Sequence, residues 1–292
     1  MYRRKTSACP SLLVATFNHL FWYTPRTGAY RVVHGGEGKY YGIAAADAQQ
    51  RHLLAMSRPD QERDDVLLEI EQASGKVLTR FQLASRDTHQ VLRDGDRLFV
   101  TDAFRGRILV YRLPEVQLVR VYDGFTHENH VNSVRPLDGN LLALCHNFGK
   151  SWMAKIDPGS GKVVDRYEDV GFCAHDILPW QDCFIMCDSL NGQLIRVDRG
   201  TRRACPLWSE PGQWTKGLMV ENDIAYFGAS PPSERESRYT VCCNVIAFDL
   251  VKEKELWRQP MKYPGLINAI TTSTALERER LGAPKPKAAI AA

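Results

Sequence analysis

The sequence predicts an all-β chain folded as a six-bladed β-propeller, closed by a C-terminal inner strand that joins three N-terminal strands. Three observations carry that prediction. A block of four strand-like runs recurs with starts at residues 41, 89, 132, 175 and 216, the spacing of a four-stranded blade. Asp-Gly and Asn-Gly pairs stand between β-branched and aromatic runs, the residue pattern of tight hairpins. The two ends are complementary, because the N-terminus offers three strands without an inner one and the C-terminus offers one inner strand.

Taken in order, Leu12–Ala15, His19–Tyr23 and Tyr30–Val33 are the three N-terminal strands. The first complete block, the loosest, starts at Tyr41-Gly-Ile and continues through His52–Met56, Val66–Ile70 and Val77–Phe81. The clearest block starts at His89-Gln-Val-Leu and runs through Arg97–Asp102, Arg107–Arg112 and Val116–Tyr122. Blocks three and four start at Asn132-Ser-Val and His175-Asp-Ile, and the fifth at Lys216-Gly-Leu carries an inserted polar loop, Pro231–Arg238. Leu266–Ile270 is the closing inner strand. Joining strands from both termini in one blade removes the open edges that invite unwanted pairing. After residue 274 the pattern ends, so residues 1–274 form one domain and 275–292 read as a short helical turn and a disordered tail.

Composition fits a folded chain. Of 292 residues, 44% are hydrophobic and 25% charged, enough for a sizeable core. The net charge of +4 is scattered, which excludes the concentrated basic stripe of a nucleic-acid binder. No apolar run reaches the length of a membrane-spanning helix, and the run Ser11–Phe17 after the basic Met1–Lys5 is too short for a signal peptide. Eight cysteines, scattered through the chain, read as reduced thiols of a cytoplasmic protein. Cys183 and Cys187 share a strand face and read as packing residues.

In a propeller the first strand of each blade lines the central channel, so equivalent positions on those strands converge. Superposing the six copies gives a polar ring of Tyr41, His89, Asn132, His175, Lys216 and Asn268. Beside it stands Thr126-His127-Glu128-Asn129-His130, where strand alternation sets His130 on the same face as Asn132. His89, His130 and His175 then offer three imidazoles from consecutive blades, a ligand set for zinc, iron or manganese with open positions. Asn132, Asn268 and His127 are placed to bind substrate. Glu128, Lys216 and Tyr41 are the candidates for catalysis, Glu128 moving a proton and Lys216 neutralising an anion. His34 and His146 read as loop residues, Cys173 as a packed thiol, and the matched Asp102 and Asp188 as turn caps. His34-Gly-Gly-Glu-Gly lacks the strand-to-helix context of a phosphate loop.

This pattern resembles the group of six-bladed propellers that contains the NHL-repeat proteins, the gluconolactonase and senescence-marker group and strictosidine synthase. The resemblance spans residues 12–271 at the level of architecture. Lactonases of that group hold a divalent ion on the channel axis through Glu, Asn, Asn and Asp; Asn132 and Asn268 match the amides, and histidines stand where carboxylates are expected. Streptogramin lyase, a related seven-bladed enzyme, is similar in setting His and Glu around a metal. The expected function is a metal-dependent enzyme, a hydrolase or lyase, acting on a small polar molecule in the channel, with no nucleic-acid or membrane partner. The alternatives are a metal-free acid/base enzyme using Tyr41, His89 and Lys216, and a non-catalytic propeller that binds a protein through the inserted loop, Trp208 and Trp214.

Overall fold

The computed structural model describes residues 9–36, 39–46, 52–58 and 63–281. Among them, β1 (Leu12–Thr16), β2 (His19–Thr24) and β3 (Ala29–Gly35) belong to the first blade. The second is β4 (Lys39–Ala45), β5 (His52–Arg58), β6 (Val66–Glu71) and β7 (Val77–Gln82), and the third β8 (Val91–Asp94), β9 (Arg97–Asp102), β10 (Arg107–Arg112) and β11 (Gln117–Tyr122). The fourth is β12 (Val131–Leu137), β13 (Asn140–Cys145), β14 (Trp152–Ile156) and β15 (Val163–Tyr167). The fifth is β16 (His175–Trp180), β17 (Cys183–Asp188), β18 (Gln193–Asp198) and β19 (Ala204–Ser209), and the sixth β20 (Trp214–Glu221), β21 (Ile224–Ser230), β22 (Asn244–Asp249) and β23 (Lys254–Pro260). Finally β24 (Ile267–Thr272) pairs antiparallel with β1, Leu12 opposite Thr272 and Val14 opposite Ile270. The ring therefore closes inside the first blade, as predicted.

Strand alternation builds the core between neighbouring blades. On β13, Leu141, Ala143 and Cys145 pack with Phe99, Ile108 and Val110 of the third blade, while Leu142 and Leu144 pack with Phe184 and Met186 of the fifth. On β17, Ile185 and Cys187 face the sixth blade instead, against Phe227 and Ile246. β13 and β17 are each buried on both faces, and complete burial of a Leu or Ile side chain is worth about 1.5–3 kcal/mol. All eight cysteines are free, with Cys145, Cys187 and Cys243 buried.

Inner strands also bind their neighbours through side chains. Asn132 Nδ2 donates to the Ala174 carbonyl at 2.7 Å, and Asn268 Nδ2 donates to the Tyr40 carbonyl at 2.9 Å. Asp176 Oδ2 accepts the Gly217 and Leu218 N–H groups. β12, β16 and β20 each carry a register shift where these bonds form, at Val131/Ser133, His175/Leu178 and Lys216/Met219. Gly217 sits at φ +74°, where a Cβ would lie 2.9 Å from Ile267 Cγ2, so glycine is required for this approach. The matched aspartates cap turns as expected: Asp102 accepts the Arg86 and Arg105 N–H groups, and Asp188 accepts that of Phe172.

The predicted helical turn is the helix α1 (Ser273–Leu281). It packs on β4 and β24, burying Ala275 and Leu276, and its Arg278 pairs with the buried Glu221 at the end of β20. It thus covers one side of the far end of the channel. His34 lies in β3, not in a loop, with Nδ1 2.6 Å from the Tyr40 hydroxyl. Met1–Lys5 and the tail beyond Leu281 lie outside the described residues.

The asparagine bridges can be tested by truncation. Asn132→Ala and Asn268→Ala each remove a buried hydrogen bond, and a loss of about 1–3 kcal/mol is expected for each in urea titration.

Candidate functional site

At the starts of the inner strands, three consecutive blades bring their polar residues into the channel mouth. Asp87, His130 and Cys173, each two residues before a ring position, share left-handed backbone, with φ of 58°, 48° and 46°. For residues with a Cβ this conformation is uncommon and costs energy. It turns the chain just before the strand and brings Asp87 and His130 to His89: the Nε2 atoms of His89 and His130 are 3.0 Å apart, and Asp87 Oδ2 lies 3.7 Å from His89 Nε2. One ligand atom from each of Asp87, His89 and His130 falls within 4.8 Å of the others.

Two more imidazoles complete the cluster. The His146 ring is 4.2 Å from that of His130 and 5.6 Å from that of His175, and His175 is 5.8 Å from His89, centroid to centroid. His146 lies beyond the end of β13, and its loop is tied to the 127–130 turn because the His146 and Asn147 N–H groups donate to the Asn129 carbonyl. Hydrogen bonds assign both tautomers. His146 Nδ1 accepts the Phe148 N–H at 3.0 Å, so the neutral ring carries its proton on Nε2. The Ser189 hydroxyl donates to the Thr215 carbonyl at 2.6 Å and so accepts from His175 Nδ1 at 2.8 Å, which leaves a lone pair on His175 Nε2. His146 is therefore a donor and His175 an acceptor.

Lys216 supplies the positive charge of the mouth. Its ammonium lies over the Tyr41 ring, 4.8 Å from the centroid, and that ring makes a T-shaped contact with His89 and a tilted one with Phe17. Burial, followed by the Lys216 charge, pushes His146 down to about 4. The same two causes, joined by the other three imidazoles, hold His175 well below the ordinary histidine value. Both rings are neutral at pH 7. Deeper in the channel, burial raises the Asp176 carboxyl against the opposing pull of the Leu218 N–H and Lys216.

The predicted residues thus divide. Tyr41, His89, His130, His175 and Lys216 meet at the mouth. Asn132 and Asn268, expected at the substrate, are only 1% and 3% exposed and spend their amide N–H groups on the next blade. The amide ligand set of the lactonases is therefore not reproduced. Glu128, expected to move a proton, stands exposed on the His127–Asn129 turn, its carboxyl held low by a hydrogen bond from the Thr126 side chain. Glu128 lies outside the cluster, and among the described residues Asp87 is the carboxylate grouped with His89 and His130. His127 is also exposed, bonded to the Phe104 carbonyl.

The sequence reading missed Asp87 and took His146, a residue able to rim the pocket, for an ordinary loop residue. Asp87 is two residues before His89, the same offset that drew attention to His130 before Asn132. His146 gave no local signal, because only the pairing of two loops carries it to His130. Trp208 and Trp214, offered as partner-binding aromatics, are half-buried: Trp208 packs on Phe227 and bonds Glu255, and the Arg238 guanidinium lies over Trp214. No helix among the described residues is long and apolar enough to cross a membrane.

No family model and no curated protein sequence matches the chain. Solved structures do match its architecture. A propeller in a nidogen/laminin complex is similar with a TM-score of 0.68 at 15% identity, over 90% of this chain and 98% of that one. A protein of unknown function from Bacteroides caccae gives 0.65 at 14% identity, over 90% and 98% of the two chains. The WD40 propeller domain of Doa1 gives 0.59 at 12%, over 87% and 80%. At these identities the likeness establishes the propeller alone.

The depressed histidines link the site to stability. Between the ordinary value of 6.5 and about 4, the unfolded chain protonates His146 and the folded chain does not. Stability is fully present above pH 6.5 and falls as the pH drops, by on the order of 3 kcal/mol from His146 alone at pH 4. His146→Asn keeps an acceptor for the Phe148 N–H and removes the titration. In chelator, the melting temperature of the wild type should drop by roughly 4 °C more than that of His146→Asn between pH 7.5 and pH 5.

Proposed function

We propose that the channel mouth binds one divalent transition-metal ion through Asp87, His89 and His130. On this reading the protein is a metal-dependent enzyme, of hydrolase or lyase type, acting on a small polar molecule. The observation that carries the reading is the 3.0 Å separation of the two Nε2 atoms with a carboxylate oxygen beside them. Two nitrogens that bind one ion at about 2.0–2.1 Å stand roughly 2.9–3.4 Å apart. Two histidines and one carboxylate suit iron or zinc and leave positions open for a substrate.

Such an ion would polarise a carbonyl or ester oxygen and lower the pKa of bound water. The remaining roles belong to this chain's side chains. Lys216 neutralises an anionic group on the substrate, and Tyr41 holds the ammonium in place from below. The proton of His146 Nε2 is a fixed donor toward the mouth. The lone pair of His175 Nε2, kept free by the Ser189 bond, receives a proton from substrate or water. The free cysteines support a reducing, cytoplasmic setting.

A metal-free acid/base enzyme is the second reading, favoured by the same short contact, since two imidazole nitrogens at 3.0 Å also share a proton well. Elemental analysis separates the two. Protein loaded with zinc, manganese or ferrous ion and then desalted should hold one ion per chain. His89→Ala and His130→Ala should each lower the affinity at least about tenfold, whereas Glu128→Gln should retain it. A wild type that takes up none of the three ions removes the metal and leaves the acid/base reading.

A further inference from the structure

The apolar surface around the mouth is distributed by sector. Phe104 in the β9–β10 turn, Phe148 after β13, Phe172 before β16 and Leu190 in the β17–β18 turn are exposed large apolar residues. They come from the third, fourth and fifth blades, the blades that supply His89, His130, His146 and His175. The series is continuous: the His127 ring lies 5.4 Å from Phe104 and 6.1 Å from Phe148. Lys150 next bridges to Phe172, whose carbonyl accepts the Leu190 N–H.

Phe148 is the centre of this sector. It is 59% exposed, yet its ring lies 4.7 Å from His130 and meets the edge of His146 at 5.4 Å. Its backbone is left-handed at φ 51°, directly after Asn147 at 46°. Two consecutive left-handed residues, one of them bulky, are strained, and such strain gathers at functional sites. The ring is thereby held beside the imidazoles with a free face toward solvent. Among the described residues, the opposite side of the mouth adds cations to its aromatics, with Lys216 over Tyr41 and Lys39 over Phe17 and the partly exposed Tyr239.

We propose that the mouth is specific for small aromatic carboxylates, with the carboxylate at Lys216 and the aromatic group on Phe148. This rests on the reading of the mouth as a small-molecule site and not on the metal. A charged head and an apolar body match the ammonium groups on one side of the mouth and the exposed Phe148 ring beside the imidazoles on the other. The Phe148 ring, 4.7 Å from His130 and 5.4 Å from His146, carries the apolar sector up to the imidazole cluster.

Binding of phenylacetate and acetate, followed by protein NMR with zinc-loaded and with chelator-treated protein, tests this. Wild type should prefer phenylacetate at least tenfold, about 1.4 kcal/mol. Phe148→Ala should reduce the preference to threefold or less, chiefly by weakening phenylacetate, and Leu190→Ser should reduce it in part. Val164→Ser, an exposed apolar position on the outer strand of the fourth blade, should leave it intact. A wild-type preference below threefold, a preference that survives in Phe148→Ala, or binding of neither carboxylate overturns the proposal, whatever the metal analysis gives. The predicted preference persisting in protein that binds no ion supports the aromatic specificity and removes only the metal.

Discussion

Each blade's inner strand has a sheet partner on one edge only, and the other edge faces the channel. Backbone N–H and C=O groups on that edge must be bonded by something other than a ladder. Much of the molecule's interior follows from this constraint. Gln90 accepts the Val134 N–H, Ser133 accepts that of Asp176, and Asp176 accepts two from Gly217 and Leu218. Asn132, Asn268 and Arg135 donate to carbonyls of the following blades, and Arg93 donates to the Ala45 carbonyl of the preceding one. These side chains hold neighbouring blades in register while satisfying an edge that cannot pair.

The same constraint explains which parts of the site the sequence could reveal. Blade spacing, hairpin turns and ring closure are local or periodic signals, and all were readable. The polar ring was also readable, but polarity there has two causes. An asparagine reaching a carbonyl 2.7 Å away in the next blade and a histidine facing the mouth look alike in sequence. Strand alternation was a poor guide to His130, which precedes β12 in left-handed backbone. It belongs to the cluster because of that turn, and the turn also leaves Glu128 outside. His146 is set by hydrogen bonds between two loops, a tertiary fact with no periodic trace.

Strain and buried polarity gather in one part of the ring. Asp87, His130, Asn147, Phe148, Cys173 and Asp176 all have positive φ, and all lie at the channel-side starts or turns of the third to fifth blades. Regular ladders on either side carry that cost, since each blade contributes an apolar face to two interblade layers. A propeller suits this division: its sheets supply stability independently of the mouth, so the mouth is free to hold groups that destabilise it.

Charge decides what such a mouth can hold. Four imidazoles and an ammonium share it, and burial keeps at least His146 and His175 neutral because further positive charge beside Lys216 is costly. Among the described residues, Asp87 is the carboxylate within reach of the His89–His130 pair. A divalent cation held by Asp87 would leave a net positive charge at that carboxylate, on the same mouth as the Lys216 ammonium. With the ion bound, an anion on the substrate is the natural partner of that charge. The neutral Nε2–H of His146 and the lone pair of His175 add one fixed donor and one fixed acceptor, so the mouth can orient an anion as well as attract it.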